Sequence, residues 1–71
     1  MTFGDFKNEI DRVIAYRPKH IRKGQAVFNY IDSKYGVARA VQFDDNVDCF
    51  YRDDQIEKFL QQAYKRIAYL F

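Results

Sequence analysis

Residues 54–71 read DQIEKFLQQAYKRIAYLF, and this stretch carries the clearest structural signal in the chain. Its apolar residues recur every three or four positions, which places them on one face of an α-helix. Asp54 stands before this stripe and Glu57 follows three residues later, the spacing of a capping box that satisfies free amides at a helix start. The stretch therefore predicts an amphipathic helix, capped by Asp54, whose apolar face comprises Ile56, Phe59, Leu60, Ala63, Ile67 and Leu70.

The N-terminal residues predict a second helix of the same kind. Thr2 and Asp5 have the spacing of a capping box, so the helix is expected to start at this point. Pro18 disfavours the α conformation at the residue before it, which predicts that the helix ends at about Arg17. The apolar stripe of this helix comprises Phe3, Phe6, Ile10, Val13 and Ile14.

The middle of the chain predicts one long helix and one short one. The long helix covers about residues 22–35, and Gly36 follows in the position of a left-handed C-cap. Gly24 lies in its first turn, where glycine is less favourable than alanine by about 1 kcal/mol. We interpret this glycine as leaving room for another segment of backbone. Residues 37–43 predict one or two further helical turns, and the turn-rich residues 44–48 break the pattern.

Together these elements predict an all-α fold, a compact bundle of three main helices plus one short helix, in a single domain over residues 1–71. Seven Phe and six Tyr supply much apolar area for so short a chain. We expect the core to centre on the residues where the predicted stripes meet, namely Phe6, Ile10, Val27, Ile31, Phe59, Leu60 and Ala63.

The composition indicates the class of protein and the compartment in which it is expected. Charged residues make up 31% of the chain and apolar residues 48%, which is typical of globular domains. The net charge of +2 does not by itself indicate a polyanionic partner. Cys49 is the single cysteine, which excludes an intramolecular disulfide and favours a reducing compartment. No apolar run predicts a membrane span or a signal peptide, so we expect a cytoplasmic protein.

The sequence contains no pattern typical of a catalytic or metal site. Read as a calcium loop, residues 44–48 lead to Cys49 where glycine is required and Gln55 where a bidentate glutamate is required. His20 and Cys49 are the only residues of their types, so neither has a partner of its own type for a zinc site. Ser33 is the only serine and lies in no nucleophile motif. We therefore predict no catalytic residue, no metal, no cofactor and no enzymatic activity.

Residues 17–23 form the candidate nucleic-acid site. Tyr16 precedes them and is a candidate for stacking on a base. Because the stretch has few charges, any binding should be weak and sensitive to salt. The cations that would contact phosphates are Arg17, Lys19, Arg22 and Lys23.

Three blocks of the sequence carry a family resemblance. They are RKGQAVFN at residues 22–29, DCFYRD at residues 48–53 and IEKFL at residues 56–60. In this order they resemble small phage- and prophage-associated bacterial proteins, whose pattern is Arg-x-Gly-Gln-Ala-x-x-Asn followed by Asp-x-Phe-Tyr-x-Asp. The resemblance implies a phage or prophage setting and no particular activity.

The polar residues of these blocks allow two interpretations. Gln25 and Asn29 lie four residues apart on one helix face, and both side chains can donate and accept hydrogen bonds. In the first interpretation these amides bind the backbone of residues 44–53 and hold that loop. In the second, Arg22, Gln25, Asn29 and Tyr51 line a face that binds a protein partner.

These observations favour a non-enzymatic protein-interaction module, an accessory or adaptor protein of phage or prophage origin. The alternative is a nucleic-acid-binding accessory protein that uses residues 17–23. The C-terminal helix predicts a further contact, because Tyr64, Ala68 and Phe71 form a second stripe rotated from the first. This stripe predicts weak self-association, unless the first helix covers it as part of one wide apolar face.

Overall fold

The computed structural model describes residues 1–70, and the predicted all-α architecture is confirmed for them. Three long helices and one short helix pack together, with a 3₁₀ helix leading into the last. No helix in this part of the chain has the length and apolar character needed to cross a membrane. The elements are α1 at Phe3–Ala15, α2 at Lys23–Tyr35, α3 at Ala38–Asp44, the 3₁₀ helix at Asp53–Gln55 and α4 at Ile56–Leu70.

The predicted start of α1 is confirmed in detail. The Thr2 hydroxyl accepts a hydrogen bond from the Asp5 amide at 3.1 Å, and the Asp5 carboxylate accepts one from the Thr2 amide at 3.2 Å. The helix ends at Ala15, slightly before the predicted Arg17. The Arg17 guanidinium instead folds back and donates to the carbonyls of Ile14 at 2.7 Å and Ile21 at 3.0 Å.

The capping box predicted for α4 is wrong. The 3₁₀ helix runs directly into α4, so Asp54 lies inside this turn and not at a free helix start. The Asp54 carboxylate accepts hydrogen bonds from Arg52, and the Glu57 carboxylate forms an ion pair with Lys7 at 3.2 Å. Asp53, and not Asp54, caps a helix, because its carboxylate accepts a hydrogen bond from the Gly24 amide at 3.0 Å in the first turn of α2.

The predicted core is confirmed, since all of its residues are buried. Residues from α3, from its flanking segments and from the long helices α2 and α4 complete the core. Gly36 has a φ of 71° and ends α2 in the left-handed conformation that its position predicted. The added core residues are Phe28, Val37, Ala38, Val41, Cys49 and Ile67.

Gly24 allows the loop before α4 to lie directly against α2. A Cβ atom at this position would be 1.8 Å from the carbonyl oxygen of Cys49, closer than any side chain tolerates. Since Gly24 lies within a helix, its conformation is ordinary and the missing side chain is what matters. The close approach of backbone predicted from the sequence is confirmed.

Gly24→Ala should therefore destabilise the domain. The new methyl group must displace the Cys49 backbone, and overpacking of this kind lowers the free energy of unfolding by about 1–3 kcal/mol. Urea unfolding followed by circular dichroism measures the change. Gly4→Ala is the matched control, because a Cβ there lies 3.7 Å from its nearest neighbour and should be neutral or slightly stabilising. Equal stability of the two variants would contradict the close contact.

Phe59→Ala should lower the free energy of unfolding by about 3–5 kcal/mol, because the ring is fully buried at the centre of the core. The same unfolding experiment tests it, with Phe43→Ala as a control. The Phe43 ring is 75% exposed, so its removal should change stability by no more than about 0.5 kcal/mol. Wild-type stability of Phe59→Ala would exclude the core described above.

Candidate functional site

The loop between α3 and the 3₁₀ helix is held against the start of α2 by polar contacts. The Cys49 thiol donates to the Gly24 carbonyl at 3.4 Å, and the Gly24 amide donates to Asp53 at 3.0 Å. The Arg22 guanidinium donates to the Phe50 carbonyl at 3.3 Å. Within the loop, the Asp48 carboxylate accepts from the Phe50 amide at 2.9 Å, a short-range turn typical of aspartate. The loop is therefore fixed by backbone groups and charged side chains.

Cys49 is a structural residue in this loop. Burial, together with the nearby negative charge of Asp48, raises the pKa of its thiol to about 12. At neutral pH the group is a protonated, fully buried thiol. Because the thiolate is the nucleophilic form, Cys49 is not suited to covalent catalysis.

A ladder of aromatic rings runs from the core to the surface through this loop. The buried Phe59 contacts Phe28 with ring centroids 5.7 Å apart, and Phe28 contacts Phe50 edge-to-face at 5.5 Å. Phe50 in turn contacts Tyr51 at 4.7 Å, also edge-to-face. Tyr51 is 71% exposed, so the ladder ends in a ring that is supported from below and open to solvent.

The end of this ladder forms one wall of a surface groove of about 290 Å³. The helix α3 supplies the other wall, where the Phe43 ring is exposed. At the rim, the Arg39 guanidinium lies 4.0 Å from the Asp32 carboxylate, and the Arg39 side chain is 77% exposed. We call this feature the aromatic groove, and its lining residues are Phe28, Arg39, Gln42, Phe43, Phe50 and Tyr51.

The predicted interaction residues fall into two regions of the surface. Tyr51 lines the aromatic groove, and Arg22 contacts the neighbouring backbone of Phe50. Asn29 lines a different groove, between α1 and α2, and Gln25 is half-buried on α2. Tyr51 therefore lies in the aromatic groove and Asn29 in the other groove, and a shared binding face of the four residues stays a prediction.

The predicted hydrogen bonds from Gln25 and Asn29 to the loop are wrong. Among residues 1–70, neither amide side chain bonds to the loop backbone, and Asn29 is exposed. The loop approaches α2 at Gly24, on the buried side of the helix, whereas Asn29 points to solvent. The loop backbone is bonded instead by Arg22 at the Phe50 carbonyl, by Asp48 at the Phe50 amide and by the Arg52 amide at the Cys49 carbonyl.

Several residues that line the aromatic groove were not predicted from the sequence to be functional. Phe43 and Arg39 were not singled out, and Phe50 was seen only as part of a sequence block. A signal was present for Phe43, because it lies outside the buried positions Ala38 and Val41 of a very short helix. A large apolar residue at such a position is a candidate for a contact surface.

The candidate nucleic-acid residues lie at the end of the molecule formed by the loop between α1 and α2. Lys19, Arg22 and Lys23 are exposed, and Tyr16 is 85% exposed beside them. Arg17 differs, because its guanidinium is bound to two backbone carbonyls and shapes the loop. A shallow groove of about 370 Å³ lies here, lined by Val13, Tyr16, Arg17, Pro18, Ile21, Ala26 and Asn29.

The second stripe of α4 is partly covered by the N-terminus. The Tyr64 hydroxyl donates to the Met1 carbonyl at 2.7 Å, and its ring lies edge-to-face with Phe3 at 5.4 Å. Ala68 is exposed, and Phe71 lies outside the described residues. The packing of Tyr64 supports the alternative of one wide apolar face covered by the first helix, while self-association stays a prediction.

The aspartates of residues 44–48 have structural partners. Asp45 binds the Arg66 guanidinium through two hydrogen bonds of 3.0 Å, which join α3 to α4 and hold the pKa of the Asp45 carboxyl below its usual value. Asp48 forms the turn at Phe50. Within residues 1–70, no group of three or more His, Cys, Asp or Glu residues is arranged to hold a metal ion.

A polar cluster joins α1 to α2 around the Glu9 carboxylate. The carboxylate accepts hydrogen bonds from the Tyr30 hydroxyl at 2.6 Å, the Lys34 ammonium at 2.9 Å and the Tyr35 hydroxyl at 3.0 Å. Burial raises the pKa of Glu9, but these hydrogen bonds and the Lys34 charge outweigh it, so the pKa is lowered overall. The hydrogen bonds to Glu9 raise the pKa of Lys34 and of Tyr30, and burial together with Glu9 raises the pKa of Tyr35. All four side chains of the cluster are hydrogen-bonded, and these bonds hold α1 against α2.

Comparisons with protein-family models, with curated proteins and with solved structures produced no match to this chain.

Glu9→Gln should destabilise the domain at pH 7 by about 1–3 kcal/mol, because charged hydrogen bonds are replaced by neutral ones. The folded-state pKa of Glu9 is lowered, so its contribution is present above the unfolded value of 4.5 and is lost as pH falls through the folded value. The stability difference between variant and wild type should shrink below pH 4.5. Urea unfolding across pH 3–7 tests this.

Glu57→Gln provides the control for this experiment. The Glu57 carboxylate pairs with Lys7 on the exposed surface, where an ion pair contributes about 0–1 kcal/mol. A stability loss from Glu9→Gln that is no larger than this, or that persists unchanged at pH 3, would refute the role of the cluster.

Proposed function

We propose that this chain is a non-enzymatic protein-interaction module and that the aromatic groove is its contact surface. The main support is that two exposed rings, Phe43 and Tyr51, line the same groove, next to the aromatic ladder that leads into the core. Large apolar side chains clustered on an exposed surface mark contact sites. The resemblance to small phage-associated proteins supports an accessory or adaptor role of phage or prophage origin, and the lone thiol supports action in the cytoplasm.

The groove has the composition of an interface hot spot. Tyr and Arg are enriched among the residues that dominate binding energy, and such residues cluster in well-packed positions. Tyr51 packs on Phe50, and Phe50 is held by Phe28 and by the loop contacts at Gly24. A ring that is already held loses little conformational freedom when a partner binds, so more of the contact energy contributes to affinity.

The chemistry of the groove indicates the kind of partner. Its walls are aromatic, and its rim carries Arg39, whose only ion pair within residues 1–70 is the long contact with Asp32 at 4.0 Å. An arginine that is open to solvent can form a bidentate pair with a carboxylate. We propose that the occupant is a protein segment with apolar anchor residues and an acidic residue directed toward Arg39.

The absence of enzymatic activity in this proposal has specific support. Cys49 is a buried, protonated thiol, and the carboxylates of Glu9 and Asp45 are occupied by strong partners. Groups in these states are poorly suited to act as nucleophile or general base.

Selection from a displayed random-peptide library tests the groove directly. The wild-type domain is the bait, and a Phe43→Ala, Tyr51→Ala double variant removes peptides that bind elsewhere. Enriched peptides should combine aromatic or aliphatic residues with an acidic residue. By isothermal calorimetry, each single variant should weaken binding by at least about fivefold, because a hot-spot ring contributes more than about 1 kcal/mol.

Two controls make the result specific. Tyr69→Ala removes another tyrosine, 90% exposed on α4 and outside the groove, and should leave peptide affinity unchanged. Arg39→Gln should lower the affinity for peptides that contain the acidic residue and leave the affinity for neutral peptides unchanged. Enriched peptides that bind the double variant as tightly as the wild type would exclude the aromatic groove as the contact surface.

A further inference from the structure

We propose a second binding site, for single-stranded nucleic acid, at the end of the molecule formed by the C-terminus of α1 and the loop to α2. In this site a base stacks on Tyr16, and Lys19 and Lys23 contact phosphates. The site shares no lining residue with the aromatic groove, so it goes beyond the function proposed above.

The Tyr16 ring is placed for stacking. It caps α1 and is 85% exposed, and it forms no ring pair with another aromatic residue among residues 1–70. The groove beside it is largely apolar, with Pro18 and Ile21 among its lining residues and the Asn29 amide at its edge. Stacking on an exposed aromatic ring is the usual way that proteins hold bases of a single strand.

The loop presents this surface in a fixed shape. Arg17 donates to the carbonyls of Ile14 and Ile21, which ties both ends of the loop together, and the Ile21 amide donates to the Pro18 carbonyl at 3.0 Å. Lys19 and His20 lie at the exposed tip between these contacts. These contacts tie the loop that carries Lys19 to the end of α1, where Tyr16 lies.

The charge around the ring is positive and unneutralised. Lys19 and Lys23 have no ion-pair partner among residues 1–70, whereas Lys7 and Lys34 are both paired with carboxylates. Arg12 is also exposed, one helical turn before Tyr16. Asp11 lies on the exposed side of α1, and the Asp53 carboxylate accepts a hydrogen bond from the Gly24 amide.

A single strand fits this combination better than a duplex. Stacking on Tyr16 requires an unpaired base. This shallow protein surface presents no projecting helix or strand that would enter the major or minor groove of a duplex. With the two phosphate contacts of Lys19 and Lys23, the affinity should fall by about sevenfold between about 50 and 200 mM salt, from a slope of about −0.7 per contact.

Fluorescence anisotropy with labelled oligothymidylate and oligouridylate tests the site, with an abasic strand of equal length as the reference probe. The base-containing strands should bind more tightly than the abasic strand. Tyr16→Leu should weaken them by about fivefold or more, as expected for one lost stacking contact, and should leave the abasic strand unchanged. Lys19→Gln with Lys23→Gln should reduce the salt slope by about 1.4.

Matched variants on α4 provide the controls. Tyr69→Leu removes a tyrosine of similar exposure, and Lys58→Gln with Lys65→Gln removes two exposed lysines, so all three strands should bind these variants as they bind the wild type. Circular dichroism confirms that each variant is folded.

Two results would overturn the proposal. If the abasic strand binds as tightly as the others, the contact is only electrostatic and Tyr16 has no stacking role. If polyglutamate displaces oligothymidylate at equal charge concentration, the surface binds acidic polypeptides, and the second site belongs to a protein partner.

Discussion

The close approach of the Cys49 carbonyl to the helix at Gly24 is the contact on which the rest of the structure depends. No other amino acid leaves room for it, because any Cβ at this position would overlap the carbonyl oxygen. The contact places Cys49 in the core and brings Asp53 to the start of α2. It thereby sets where the chain turns into α4, the helix that supplies Phe59 to the centre of the bundle.

The same contact creates the surface that we assign to function. By fixing the loop, it seats Phe50 against Phe28 and leaves Tyr51 directed outward. A continuous series of ring contacts therefore joins the core to the aromatic groove. A substitution at Gly24 should alter both the core and the groove. In contrast, the basic loop after α1 is shaped locally, by the Arg17 side chain. The two proposed sites can consequently be altered separately.

Polar contacts between helices add to a core that is small in so short a chain. Glu9 links α1 to two tyrosines and a lysine of α2, and Asp45 at the end of α3 links to Arg66 of α4. Each cluster is only partly buried, so the charged groups keep some contact with water while their hydrogen bonds are satisfied. These pairings hold the helices in register at the edges of the apolar core.

The features that were predicted correctly from the sequence depend on neighbours within a few residues. Apolar periodicity located the helices and the core, the Thr2 capping box located the start of α1, and Gly36 located the end of α2. Gly24 was recognised as a close-packing position, but its contact partner was not. Local signals of this kind act over one or two helical turns, and the chain sequence states them directly.

The polar contacts between distant parts of the chain depend on how the helices pack, and they were not predicted from the sequence. The Asp53 carboxylate binds the Gly24 amide, and Asp54 lies inside the 3₁₀ helix and does not cap α4. Gln25 and Asn29 do not bind the loop. The aromatic groove likewise joins Phe43 of α3 to Tyr51 of the loop. Such pairings depend on which faces of the helices meet, and the periodicity of a single helix does not specify its neighbour.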